Sequence, residues 1–278
     1  MKVRIDYHFH ANLPKCNKKA ALKCKQIWSN LEKDNINILI STEHAYKNPK
    51  RAFEMLHKFK PKDLYCFPGV ECITKEGIDI IVFSKDQSIY EYHQLESFNE
   101  SYFDLIEFVN SKNDLHAFVT HPHTLGLTSV INKLGKDAYF QSLKMLNAVE
   151  ISNGAFDNLI LLSKKLPFLK LFKSKIKQMH NTQCLPLDDY PSQIQFLAAG
   201  SDAHHVEEIG NCYEVSSTRK TLNEKEAFEI VTRNAGKGKV ILDDYKSFSF
   251  KLLIKTAFTV MHEFLIKQKL KFKKRSQC

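Results

Sequence analysis

The residues best suited to chemistry come early in the chain, where His8 and His10 flank Phe9. They follow a strand-like run over residues 1–5, and side chains of an extended chain alternate faces, so both imidazoles project to one side. Two imidazoles on a rigid strand end make half a metal site, because neutral imidazole is a common nitrogen ligand for zinc, manganese or iron. A lone His-x-His pair more often sits in a core or at a surface. Here the pair is one of a series.

Thr42-Glu43-His44, Gly69-Val70-Glu71, Asp79, His121-Pro122-His123, Glu150 to Asn153 and Gly200-Ser201-Asp202-Ala203-His204 all stand at or near the ends of apolar or β-branched runs. Those runs cover residues 3–5, 36–41, 64–70, 78–83, 117–120, 148–152 and 195–199. Amphipathic stretches of helical period separate them, at 18–33, 49–59, 102–109, 136–146 and 222–234. Such alternation predicts an α/β fold with a mostly parallel sheet, open or closed into a barrel. In a parallel barrel the strand C-termini open on one face, where catalytic groups gather. Thr221-Leu222-Asn223-Glu224 has capping-box spacing and marks the start of the 222–234 helix.

The chain has 278 residues, enough for one barrel domain, with 43% hydrophobic and 26% charged residues, the balance of an ordinary globular protein. Its charged opening runs directly into the histidine pair without room for a secretory apolar region, so a cytoplasmic location is expected. Seven cysteines form no Cys-x-x-Cys motif, which suits reduced thiols better than a disulfide framework. The 20 phenylalanines read as core material rather than a base-stacking platform. His57, His93, His116, His180, His205 and His262 lack any motif context and are set aside as ligands.

Taken in order, DYHFH, STEH, PGVE, THPH and GSDAH resemble the motif series of the PHP superfamily, named for polymerase and histidinol phosphatase. The resemblance spans residues 1–244 and implies a distorted seven-stranded (β/α) TIM-like barrel with two or three divalent metal ions (Mn2+, Zn2+ or Fe2+) at the strand ends. It implies that His8, His10, Glu71 and Asp202 hold a first metal, with Glu71 bridging to a second near His121. Asp79 is the expected further ligand of that second ion, where many relatives place a histidine. His44 and His204 match two ligands of a third metal. Position 16, which usually completes that third site, is Cys16, preceded by Lys15. Either Cys16 is a thiolate ligand, or the third metal is absent and Lys15 supplies positive charge in its place.

The family mostly hydrolyses phosphoesters, so the expected activity is a metal-dependent phosphoesterase acting through a metal-bridging hydroxide on a small or medium phosphorylated substrate. His123 or His204 could protonate a leaving alkoxide, and Lys15, Lys18, Lys47 and Arg51 are candidate phosphate contacts. Glu43, Glu150 and Asn153 are expected behind the ligands or against substrate, because ligating histidines donate their other N–H to a carboxylate or carbonyl. The alternatives are a nuclease of the same type, which a net charge of +10 permits, and a degenerate barrel that binds metal or ligand without turnover.

Two stretches combine apolar residues with lysine. Residues 156–182 are richer in Leu, Ile and Phe than one crossover helix needs. Residues 245–278 form a predicted basic amphipathic C-terminal helix or tail; from Lys251 to Arg275 eight basic residues face one acidic residue, Glu263. That composition fits a final helix packed on the barrel, a helix lying peripherally on an anionic membrane surface, or a nucleic-acid contact.

Overall fold

The computed structural model describes residues 1–120, 129–146, 148–155, 194–234, 238–242 and 250–275. His121, His123 and the apolar stretch 156–182 lie outside the described residues.

Among the described residues nine strands make one sheet: β1 (Lys2–Phe9), β2 (Ile38–Ser41), β3 (Tyr65–Ile73), β4 (Asp79–Ser84), β5 (Leu115–Val119), β6 (Ala148–Asn153), β7 (Phe196–Gly200), β8 (Cys212–Ser216) and β9 (Gly238–Ile241). Their order is β7-β6-β5-β4-β3-β2-β1-β8-β9. The TIM-like α/β class is as expected, but the strand count is nine and not seven. β8 pairs antiparallel with residues 2–5 of β1, and β9 pairs antiparallel with β8. Only the second half of β1 is therefore left for β7, and there the barrel nearly closes. Asp202 N donates to His8 O at 2.7 Å and His10 N to Ala203 O at 3.2 Å.

The sheet is also less parallel than expected, because β4 runs antiparallel to both β3 and β5. The link from Thr74 to Ile78 is a tight turn, with Gly77 at φ +86°, too short for the helical crossover that a parallel pair demands. This reversal brings the first residue of β4 to the same end as the last residues of β3. Asp79, opposite Ile73, thereby joins the other strand-end groups.

Helices α1 (Asn17–Lys33), α2 (Pro49–Lys58), α3 (Tyr102–Asn110), α4 (Val130–Leu134) and α5 (Lys136–Leu146) cover the sheet. α1 buries Ala20, Cys24, Ile27, Trp28 and Leu31, a stripe at helical spacing, and Trp28 Nε1 donates to Leu56 O at 2.9 Å. α2 starts on Pro49 with Asn48 as its cap, the asymmetry that fixes helix starts. α6 (Glu224–Thr232) carries a capping box two residues later than the sequence spacing suggests, from Asn223 and Glu226. Asn223 and Glu226 satisfy each other's backbone N–H at 2.9 and 3.0 Å.

Phenylalanine does serve the core among the described residues. Tyr7 stacks on Phe196 at 5.9 Å and meets Phe83 and Phe118 edge-on. Because Tyr7 points into this cluster, its neighbours His8 and Asp6 must point the other way.

The last helix, α7 (Phe250–Arg275), lies against the barrel across the strand-end face. Thr256 bonds Glu208, Thr259 Oγ1 lies 3.2 Å from His205 Nε2, and Lys274 Nζ lies 3.4 Å from Asn99 Oδ1. Its outward side exposes Phe258, Met261, Leu265 and Phe272. No helix among the described residues is long and apolar enough to cross a membrane.

Candidate metal centre

β1 delivers the first two groups. His8 Nδ1 lies 3.0 Å from Glu150 Oε1, and His10 Nδ1 lies 3.6 Å from Glu43 Oε1. These carboxylates stand behind the rings, as expected of partners that set the tautomer of a ligating imidazole. The Nε2 atoms are then turned toward each other, 3.1 Å apart. Asp202 Oδ1 approaches both, at 3.4 Å from His8 and 3.2 Å from His10, and Glu71 Oε2 is 3.2 Å from His10 Nε2. Two nitrogens and two carboxylates thus converge on one point.

Backbone geometry at the end of β7 aims Asp202. Its φ of +47° is the left-handed conformation, tolerated by Asp better than by most residues. Gly200, just before, lies so close to the His8 backbone that any Cβ would collide with it. Asp6 ties the same junction, with Oδ1 accepting from His8 N at 3.1 Å and Ser201 N at 3.0 Å, while Ser201 Oγ donates to Oδ2 at 2.6 Å. Burial pushes the Asp6 carboxyl up to about 7 despite those bonds.

A second group adjoins the first. The His10 ring adjoins both His44, with centroids 4.3 Å apart, and His204, at 4.5 Å, and those two rings are 5.8 Å from each other. His44 Nδ1 is 2.5 Å from Glu71 Oε2, and His204 Nδ1 is 3.0 Å from the Asp202 carbonyl. The Nε2 atoms of both face Glu263, at 3.3 Å for His44 and 3.0 Å for His204. Tyr46 stacks against the outer face of His44 at 4.9 Å.

Glu263 and Lys267, both from α7, are the groups that sequence reasoning missed. Lys47 Nζ sits 2.6 Å from Glu263 Oε1, and Lys267 Nζ sits 2.9 Å from Asp79 Oδ2. The one available signal was Glu263 itself, a lone acid in a basic stretch. Asn153 Nδ2 is 3.2 Å from Asp202 Oδ2 and 3.4 Å from Glu150. Of the proposed phosphate contacts, Lys15 and Lys18 are exposed, Lys47 is taken up by Glu263, and Arg51 braces the loop before α1 through Pro14 O and Lys15 O. Cys16 is exposed at the start of α1 and outside the cluster.

Electrostatics reflect crowded acid. Six carboxylates (Glu43, Glu71, Asp79, Glu150, Asp202, Glu263) stand against two ammoniums (Lys47, Lys267), an excess of four negative charges while the imidazoles are neutral. Burial by itself pushes the His8 imidazole down, but Asp202 and then Glu150 outweigh it and hold the ring up at about 9. His10 is likewise raised, against burial, by Asp202, Glu43 and Glu71. Burial opposes ionisation of Glu71, Asp202 and Glu263, yet the histidines draw all three well below the usual carboxylate range. Asp79 differs: burial lifts it to about 6 even with Lys267 beside it.

Metal ions suit this arrangement. His10 Nδ1, His44 Nε2, Glu71 Oε2 and Asp79 Oδ1 are buried without a hydrogen bond among the described residues, an expensive condition for four neighbouring polar atoms. Two overlapping groups, His8-His10-Glu71 and His10-His44-His204, bring ligand atoms within 4.8 Å of one another. Imidazole and carboxylate together fit zinc, manganese or ferrous iron.

No protein-family model and no curated protein matches the chain. Among solved structures it is similar to PsfC from Pseudomonas syringae PB-5123, with 14% identity over 97% of this chain and 99% of that one and a TM-score of 0.57. It is also similar to the lesion-specific endonuclease PfuEndoQ from Pyrococcus furiosus, at 15% identity over 86% of this chain and a TM-score of 0.50. Endonuclease Q in complex with a 27-mer duplex carrying an abasic lesion matches at 16% identity over 86% of this chain, with a TM-score of 0.51. The chain spans 58% of the length of either endonuclease chain. At these identities the likeness is one of fold.

Proposed function

We propose that this chain is a metal-dependent hydrolase of the PHP type that cleaves phosphoesters at the buried His-carboxylate centre. The observation that carries the reading is the convergence of His8 Nε2 and His10 Nε2 with Glu71 and Asp202, each ring backed by a carboxylate. The excess of four negative charges equals the charge of two dications, and a carboxylate between them would offset part of their mutual repulsion. His8, His10, Glu71 and Asp202 would hold one ion, and His44 and His204 another, with Glu71 between. Bound divalent cations supply an activated water near neutral pH and a counter-charge for phosphoryl oxygens.

The chain's own residues do the rest. Glu150 and Glu43 hold the imidazoles as Nε2 donors, and Asn153 restrains Asp202 through Oδ2. Lys267 keeps a fixed positive charge beside Asp79, the residue otherwise assigned to an ion near His121. His123 is retained as the proton donor to a leaving alkoxide on the resemblance alone.

Fold likeness to endonuclease Q, with a net charge of +10, favours a second reading as a phosphodiesterase on nucleic acid. One experiment addresses both. Aryl phosphate monoester and diester substrates are assayed with and without Mn2+, for the wild type and Asp202→Asn, beside an abasic duplex. Metal-dependent turnover lost in the variant supports hydrolysis, and the preferred substrate chooses between readings. Bound metal with no turnover on any substrate would leave a binding barrel.

A further inference from the structure

We propose that α7 supplies a metal ligand, the Glu263 carboxylate, which completes a site with His44 and His204. This rests on the metal-centre reading above and adds a residue from outside the barrel motifs.

Each imidazole turns one nitrogen toward a barrel oxygen. His204 Nδ1 faces the Asp202 carbonyl at 3.0 Å and His44 Nδ1 faces Glu71 at 2.5 Å, which leaves both Nε2 atoms free to take a second partner. Both turn to one carboxylate. Glu263 Oε1 and Oε2 are 3.0 and 3.1 Å from His204 Nε2, and Oε2 is 3.3 Å from His44 Nε2. Among the described residues His44 Nε2 nevertheless makes no hydrogen bond, although the residue is only 3% exposed. A buried nitrogen that faces a carboxylate without bonding to it is placed as a ligand would be, on one side of a shared cation.

The helix is held so that this is its fixed position. Thr256, Thr259, Glu263, Lys267 and Lys274 all reach the barrel, and their spacing follows one helix face. Lys267 bonds Asp79 one turn beyond Glu263. Charge argues the same way, because Glu263 shares His44 with Glu71 and His204 with Asp202, which gathers three carboxylates on the same imidazoles. Two imidazoles and a carboxylate form a donor set for Zn2+, Mn2+ or Fe2+. Exposed Cys16 has no part in it.

The test is metal stoichiometry on the full chain. Wild type, Glu263→Gln, Glu263→Asp and Asp202→Asn are stripped, reloaded with Zn2+, dialysed and assayed by elemental analysis. Co2+ titration, followed by visible absorption, reports each site's coordination. Glu263→Gln is expected to lose one ion per chain, or to bind it 10–100-fold more weakly, and to change one Co2+ phase while the other persists. Glu263→Asp, which keeps the charge on a shorter arm, should weaken the same phase less and serves if the glutamine variant does not fold. Unchanged stoichiometry, affinity and Co2+ spectrum in both variants would overturn the proposal. So would faster turnover of Glu263→Gln at unchanged metal content, which would make the carboxylate a plug. A wild type that takes up no metal would overturn the underlying reading itself, a result distinct from loss of one phase.

Discussion

Lys267 Nζ lies 2.9 Å from Asp79 Oδ2, joining residues 188 positions apart across the mouth of the barrel. Neither side chain is well exposed, at 16% and 8%, and the pair fastens α7 over the centre. Breaking a buried ion pair by removing one partner costs about 3–5 kcal/mol. Burial already lifts Asp79 to about 6, so without the lysine the acid can escape by taking up a proton, more readily at low pH. Lys267→Met should therefore destabilise more at pH 8 than at pH 5. Thermal unfolding at both pH values, with hydrogen exchange of α7, checks this; an equal effect at both would refute it.

Glu150 accepts from His8 Nδ1 at 3.0 Å. Partners behind a metal-bound imidazole typically contribute 10–100-fold in affinity or activity. Glu150→Gln is expected to weaken metal binding by about that factor at unchanged fold. Isothermal titration with Mn2+ measures it, and wild-type affinity in the variant would show that His8 is not a ligand.

Without metal, protons on the His8 and His10 imidazoles offset part of the acid cluster. His8 is raised from 6.5 to about 9, so its contribution to stability is complete below pH 6.5 and is lost as pH rises through 9. Glu43 is drawn down from 4.5 to about 2, against burial, chiefly by the neighbouring His10; its contribution is complete above 4.5 and lost as pH falls through 2. Metal must displace the histidine protons, so affinity should rise with pH over 6.5–9. Melting curves from pH 6 to 9.5 should fall in chelator and hold in excess Mn2+. Parallel curves would count against metal at His8.

Gly200 touches the His8 backbone with no room for a Cβ. Gly200→Ala should part β7 from β1, costing about 1–3 kcal/mol and disturbing Asp202 as well. Chemical denaturation and metal content report the two effects separately; a stable variant with full metal content would show that the closure is compliant.

Much of the centre was legible because its residues end strands. His8, His10, His44, Glu71, Asp202 and His204 meet because each follows an apolar run, and alternation along β1 alone puts two of them together. Local pattern does not reveal chain reversal, so the antiparallel β4 was missed although Asp79 was noticed. Strands β8 and β9 carry Glu214 and Lys239 and so present no continuous apolar run of the kind that marks β2 and β7. Glu263 and Lys267 were illegible for a stronger reason. Nothing within α7 states which barrel face it covers; only the docked helix makes ligand and counter-ion of what reads as a basic, amphipathic stretch.

Lys47 and Glu263 are 216 residues apart, and their contact sets an order of assembly during synthesis. At 5–20 residues per second, roughly 10–40 s separate the appearance of one from the other. Only over its last 61 residues, from Asp202 to Glu263, are the β1 histidines and the strand-end acids all made with neither α7 group in place. The newborn centre is then uncovered by α7, and on the metal reading proposed above an ion could enter before the helix arrives. Ribosome-bound chains halted before residue 263 would hold the barrel in that loading state.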